Sequence, residues 1–268
     1  MYKIDYHIHT VYSPDGKATP DEQISAAVSA GLSEIAFTDH CECNNNEAIP
    51  PDFERWFDFD PDSYIQAIKK TDKKGLKVKI GIELGQATQN KTFAESVLSG
   101  YEWDVVLGSL HNLRNNYDFY YLGLLGVDMR SLMKDYFEQL YELVCFDCFD
   151  VLAHLYYPVK YICETDKGFD IHVYNCEICD ILKKLAENGK ALEINTSALA
   201  GNYGNTVPDM EFLKMFRQLG GEFVTIGSDS HVCSSVGYGV SKTTEVLREI
   251  GYSAITTYEK RQPILREI

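Results

Sequence analysis

Short apolar, β-branched runs alternate along the chain with longer stretches of helical periodicity, and most of the switches carry their own punctuation. "KIDYHIH" reads as a first strand. In "TPDE", Thr19 stands as N-cap, Pro20 as the first helical residue and Glu22 three positions beyond the cap, opening a helix that Gly31 closes. "EIAFTDH" is a second strand, and "DPDSYIQAIKKTDKKG" repeats the device with Asp60, Pro61 and a closing Gly75. "KVKIGIE" is followed by the helical "TFAESVLSG", and "DVVLGSLH" by a long loop and a helix over residues 129–145. "FDVLAHL" is a fifth strand. Next comes the helix "VYNCEICDILKKLAENG", with Val173, Ile178, Ile181, Leu182 and Leu185 at its apolar positions. "KALEINT", the helical "VPDMEFLKMFRQLG" and "EFVTIGSDSH" complete about seven βα units. Continuous apolar strands joined by helices predict an α/β fold with a parallel sheet covered by helices, closed or nearly closed into a barrel. The glycine of "YSPDG" belongs to a turn, so the first strand carries no dinucleotide fingerprint.

With 268 residues, 45% of them hydrophobic, the chain can bury one large core, and a single domain over residues 1–268 is expected. A formal net charge of −15 argues against a nucleic-acid or membrane partner. No leader pattern opens the sequence and no run approaches the roughly 20 apolar residues of a span, which predicts a cytoplasmic protein. The oligomeric state is left open. Eight cysteines in such a chain read as reduced thiols. Cys145/Cys148 and Cys176/Cys179 have the spacing of zinc-binding pairs, but 27 residues separate them and the helical pattern takes Cys176 and Cys179 as small buried residues. Cys41 lies beside the metal site argued next and carries no stronger expectation.

Six of the seven histidines share one kind of address. His7 and His9 end strand one, His40 ends strand two, His111 follows strand four, His154 ends strand five, and His231, with Asp229, follows strand seven. Glu83 ends strand three. In a parallel barrel these strand ends converge on one face. Residues two apart on a strand point the same way, so His7 and His9 face one centre, as would Asp229 and His231 if strand geometry persists that far. Such a crowd of imidazoles and carboxylates is costly without cations, whereas a metal turns each into a ligand. Asp15 can fold back as a ninth ligand. Nine nitrogen and oxygen donors fit two or three divalent ions, with Glu83 as bridge, and suit zinc, manganese or iron. His172 lacks this address and is left out.

"HIHTVYSPDG", "FTDH", "GIELG", "GSLH", "DVLAHL", "LEINTSAL" and "GSDSH", in that order, resemble the polymerase and histidinol phosphatase (PHP) superfamily, most closely its histidinol-phosphatase branch. The resemblance implies a distorted (β/α)7 TIM-like barrel with three metals at the carboxyl ends of the strands. It assigns His7, His9, Glu83 and Asp229 to one ion, Glu83, His111 and His154 to a second, and Asp15, His40 and His231 to a third. It also implies hydrolysis of L-histidinol phosphate, a step of histidine synthesis, by metal-activated water, with Glu83 and Asp229 at the centre of catalysis. Two departures bear on the substrate. Ala200 stands where the branch places a phosphate-clamping arginine, and the loop after "AHL" reads Tyr156, Tyr157, Pro158, Val159, Lys160. Lys160 and Arg114 are the candidate replacement charges, though a lysine offers a point charge rather than a bidentate fork. The tyrosines of "NNYDFYYLG" either line the pocket or pack. Two further readings stay open: a phosphoesterase acting on another small phosphorylated metabolite or a nucleotide, and a catalytically silent metal-binding regulator.

Overall fold

The computed structural model describes residues 2–44, 58–114, 116–124 and 126–268. Its strands are β1 (Ile4–Ile8), β2 (Glu34–Phe37), β3 (His40–Glu42), β4 (Lys77–Gly85), β5 (Val105–Ser109), β6 (Val151–Leu152), β7 (Ala191–Asn195), β8 (Val224–Gly227), β9 (Ala254–Glu259) and β10 (Gln262–Glu267). Seven of them form one parallel sheet in the order β1-β2-β4-β5-β6-β7-β8, with β3 paired to the upper part of β4. The sheet nearly closes on itself: beyond β8, the His9 N–H donates to the Ser230 carbonyl (2.8 Å) and the Ser230 N–H to that of His7 (3.3 Å). The result is the distorted seven-stranded barrel that the βα rhythm predicts. β1, β2, β5, β6, β7 and β8 are buried along their whole length, as strands covered on both faces must be.

The described helices are α1 (Pro20–Ser29), α2 (Pro61–Lys70), α3 (Lys91–Gly100), α4 (Met129–Phe146), α5 (Val159–Thr165), α6 (Asn175–Glu187), α7 (Met210–Gln218) and α8 (Val240–Glu249). Thr19 and Glu22 make the expected capping box on α1, and the side chains of Asp60, Asp128 and Asp209 accept from first-turn N–H groups of α2, α4 and α7. Each such cap contributes about 1 kcal/mol. The inward stripes are apolar, as with Ile178, Ile181, Leu182 and Leu185 on α6. None of the described helices is long and apolar enough to cross a membrane.

Four expectations change. α2 stops at Lys70, where Thr71 turns extended, and Gly75 (φ +81°) serves a later turn. Val173 lies on a short 3-10 turn before α6 and is 68% exposed, and Cys176 is exposed as well; the helix keeps its apolar stripe without them. β2 ends at Phe37 because Asp39 leaves the strand path: its carboxylate accepts from the Thr10 N–H (2.7 Å) and the Ser13 hydroxyl (2.7 Å). His40 therefore opens β3 and sits in register with Glu83. Finally, the C-terminal β9–β10 hairpin was not foreseen. Its turn residues Lys260 and Arg261 both have positive φ, the geometry of a two-residue hairpin turn without the usual Asn-Gly signal.

That hairpin floors the amino-terminal end of the barrel. The Tyr258 N–H donates to the Tyr6 hydroxyl (2.9 Å), the Val224 N–H to Thr256 Oγ1 (3.1 Å), and the Arg261 guanidinium reaches Asp150 just ahead of β6. The opposite end stays open.

Candidate metal centre

All nine expected ligands come together at the open end, delivered by six different strands or the loops after them. Glu83 is the hub, fully buried on β4. Its Oε2 lies 3.2 Å from His7 Nε2, 3.5 Å from His9 Nε2 and 3.0 Å from His40 Nδ1; its Oε1 lies 3.0 Å from His111 Nε2 and 2.9 Å from His154 Nε2. Asp229 Oδ1 approaches His9 Nε2 at 3.4 Å. Asp15 Oδ2 lies 3.0 Å from His231 Nε2, and the His9 ring stacks against those of His40 and His231, with centroids 4.2 Å from each. Four triads of donor atoms each fall within 4.8 Å: His9, His40 and His231; His7, Glu83 and His154; His7, His9 and Asp229; and His40, Glu83 and His111.

Local backbone features aim these side chains. His7 and His9 face one centre, as the strand period requires. Asp229 and His231 do not share a direction, because Asp229 adopts φ +54° and strand geometry ends there; Asp229 turns to His7 and His9 while His231 turns to Asp15. His154 has φ +21°, a conformation held by its N–H donating to Glu193 Oε2 at 2.7 Å. Gly227 is required where β8 passes the centre, since a Cβ there would lie 2.3 Å from Glu193 Oε1 and 2.4 Å from the His7 Cβ.

The surrounding shell was missed by the sequence reading, and it fixes the tautomers. Glu193 Oε1 accepts from His7 Nδ1 (2.6 Å), and Glu42 Oε1 from His111 Nδ1 (3.0 Å). Ser13 gives its one proton to Asp39, so the 3.0 Å contact at His9 Nδ1 is an imidazole N–H donating to the Ser13 hydroxyl. In each ring the Nδ1 proton is committed, and the Nε2 lone pair is left for the centre, the arrangement of metal-ligating imidazoles. Their signals were faint but present: Glu193 is an acidic residue inside a mainly apolar barrel strand, β7, and Glu42 lies two positions from His40.

Whether the residues fit metal ions can be tested on their unpartnered atoms. His7 Nε2, His9 Nε2, His231 Nε2 and Glu83 Oε2 are buried and make no hydrogen bond, although other ligand atoms stand within about 3.0–3.5 Å of each. Buried polar atoms so placed need a shared positive charge. Protons supply it in the metal-free protein. Burial alone would depress His7, yet Glu193, Glu83 and Asp229 hold it well above the ordinary histidine range. His111, also opposed by burial, is pushed up to about 10 by Glu83 and Glu42. Burial would raise Glu83, but His7, His111 and His40 hold it well below the carboxylate range. Burial, together with the charges of His231 and His40, keeps His9 low and neutral. Divalent ions would replace those protons, and the donor set fits them. No described cluster of potential ligands includes a cysteine, and Cys41 is buried within the apolar core.

The centre floors a cavity of about 610 Å³. Lys160, on α5, enters it: Nζ donates to Asp229 Oδ2 (3.2 Å) and Ser197 Oγ (3.2 Å), and Asp229 holds its ammonium well above the usual lysine range against the opposing effect of burial. Arg114 is a correction. It lies outside the cavity lining, exposed and ion-paired to Glu142 on α4, because the loop after β5 turns it toward that helix. Tyr120 and Tyr121 of the tyrosine-rich loop line the cavity, whereas Tyr117 does not.

The chain belongs to the PHP domain family, whose model matches residues 5–197. Over 96% of its length it is 32% identical to "Probable histidinol-phosphatase" of Clostridium acetobutylicum, covering 97% of that protein. It is 28% identical to "Histidinol-phosphatase" of Lactococcus lactis, with 96% and 95% of the two chains covered. The fold matches the crystal structure of histidinol phosphate phosphatase from L. lactis, complexed with zinc, L-histidinol and phosphate, with a TM-score of 0.82, 24% identity and 98% of each chain covered.

Proposed function

We propose that this protein is a metal-dependent phosphomonoester hydrolase whose substrate is L-histidinol phosphate. The observation that carries the reading is Glu83, whose two oxygens face two separate sets of imidazoles as a bridging carboxylate must. Two or three divalent ions, zinc, manganese or iron, are assigned here. His7, His9, Glu83 and Asp229 would hold one, Glu83, His111 and His154 a second, and Asp15, His40 and His231 a third. When bound, such ions supply the charge that activates water near neutral pH and neutralises phosphate oxygens.

The chain's own groups do the rest. Glu193, Glu42 and the Asp39–Ser13 pair hold three imidazoles in the ligating tautomer. Lys160 places a fixed ammonium beside the centre, where it can take a phosphate oxygen. It stands in for the arginine that Ala200 replaces. Ser197 orients Lys160 and adds a hydroxyl to the same wall. The names borne by the relatives at 28–32% identity support the substrate. The test is phosphate release from L-histidinol phosphate beside a panel of other phosphomonoesters, with metal counted on the same sample. Selective hydrolysis with two to three ions per chain is expected. Broad, slow hydrolysis with the ions in place would keep the phosphatase and discard the substrate; full metal content without any turnover would leave a silent binding protein.

A further inference from the structure

The wall of the cavity beside Lys160 has a chemistry the phosphate does not need. Asp118, in the loop after β5, and four tyrosines form it. The Tyr157 hydroxyl donates to Asp118 Oδ1 (3.2 Å), and so does the Tyr120 N–H (2.7 Å); among the described residues Oδ2 has no donor. The Tyr161 hydroxyl donates to that of Tyr157 (2.8 Å). Edge-to-face contacts lock Tyr161 against Tyr157 (5.2 Å between centroids) and Tyr120 against Tyr161 (5.8 Å). The Lys160 ammonium sits 4.9 Å from the centroid of the same Tyr157 ring whose hydroxyl reaches Asp118. A positive and a negative group therefore stand one aromatic ring apart, both facing the cavity.

A carboxylate with an open oxygen, framed by rigid electron-rich rings, suits an organic cation. An anion would be repelled at Asp118, beyond the Tyr157 hydroxyl, while Lys160, beside the same ring, repels a cation on its own side. We propose that Asp118 and the tyrosines around it form a leaving-group subsite that selects phosphate monoesters whose alcohol carries a cationic nitrogen. The proposal rests on the phosphomonoesterase reading for the phosphate end; the subsite is a binding wall, and Asp118 is a specificity-determining residue.

The experiment compares the metal-loaded full chain with its Asp118→Asn variant on two substrates: L-histidinol phosphate, and the analogue in which hydrogen replaces its amino group. The ratio of kcat/KM values, cationic over deaminated, should favour the cation in the parent protein. In the variant it should fall by about tenfold or more, mainly through KM, as expected for loss of a charge-assisted hydrogen bond. Tyr120→Ala, at a residue 65% exposed and therefore safe for folding, should lower the same ratio by about threefold. An equal loss on both substrates, or an unchanged ratio, would overturn the subsite. L-Histidinol binding, followed by calorimetry on the same proteins, separates the two claims. If the parent hydrolyses neither substrate but binds L-histidinol and Asp118→Asn does not, the subsite stands and the phosphatase reading falls. If the parent turns over both substrates equally and L-histidinol binds parent and variant alike, the phosphatase stands and the subsite falls.

Discussion

The two ends of the barrel bury charge in opposite ways. At the floor, each acidic group has its own protein donors. Asp150 takes the Arg261 guanidinium at 3.0 Å and the Val106 N–H at 2.9 Å, Glu34 takes the hydroxyls of Tyr6 and Tyr2, and Asp104 takes the N–H groups of Ile80 and Lys260. At the open end, Glu83 and its imidazoles are equally buried, yet key atoms meet one another without hydrogen bonds. A satisfied buried network reports stability, whereas a cluster of buried donors left to share an external charge reports function. The contrast separates the two roles although both ends are dense in ionisable groups.

Substitutions at the two ends should therefore fail differently. Glu83→Gln removes the bridging charge, and kcat/KM for phosphate release should drop on the order of 10³-fold while bound metal falls; unchanged metal content with unchanged activity would remove Glu83 from its bridging role. Arg261→Ala at the floor leaves Asp150 with only the Val106 N–H, and thermal or urea unfolding should show a loss of roughly 2–3 kcal/mol, less than for a fully buried pair because Arg261 is partly exposed. Activity per folded molecule should stay close to that of the parent, so a large fall in kcat would blur the contrast.

Glu193→Gln sharpens the comparison from the side of the shell. Metal affinity should weaken about 10- to 100-fold, measured by competition with a chelator, because the His7 tautomer is no longer enforced by a carboxylate. The protons at the open end give a further reading. His7, His40 and His111 are held above the ordinary histidine range in the metal-free protein, so at pH 7 they carry protons that ligation must expel. Metal uptake should release about one to three protons per chain and tighten as pH rises, which calorimetry in buffers of different ionisation enthalpy would detect. The smallest effect belongs to Arg114→Ala: its exposed pair with Glu142 should be worth less than about 0.5 kcal/mol, with activity within about twofold of the parent.

Much of this site was legible in one dimension because parallel strands impose a simple rule, gathering residues at their carboxyl ends whatever their separation in sequence. His7, His9, His40, Glu83, His111, His154, Asp229 and His231 could be read from that rule, and Asp15, on the loop after β1, joined them by folding back. Arg114 could not be placed, since a charge in a loop can turn to the cavity or to the nearest helix, and Glu142 on α4 decided it. Lys160 went the other way, drawn in by Asp229 and Ser197.

The sequence by itself determined the alternation of strands and helices, the caps that start α1 and α2, and the address shared by the metal-site residues, because each follows from local periodicity or side-chain type. Only the tertiary structure decided which carboxylate orients which imidazole. Glu193 and His7 are far apart in the chain and meet because β7 and β1 approach the centre from either side of β8, where Gly227 lets them touch. It also decided that the last strands, carrying no strong turn signal, would close the floor. Their hydrogen bonds to Tyr6, Val224 and Asp150 exist only once the barrel has brought those partners together.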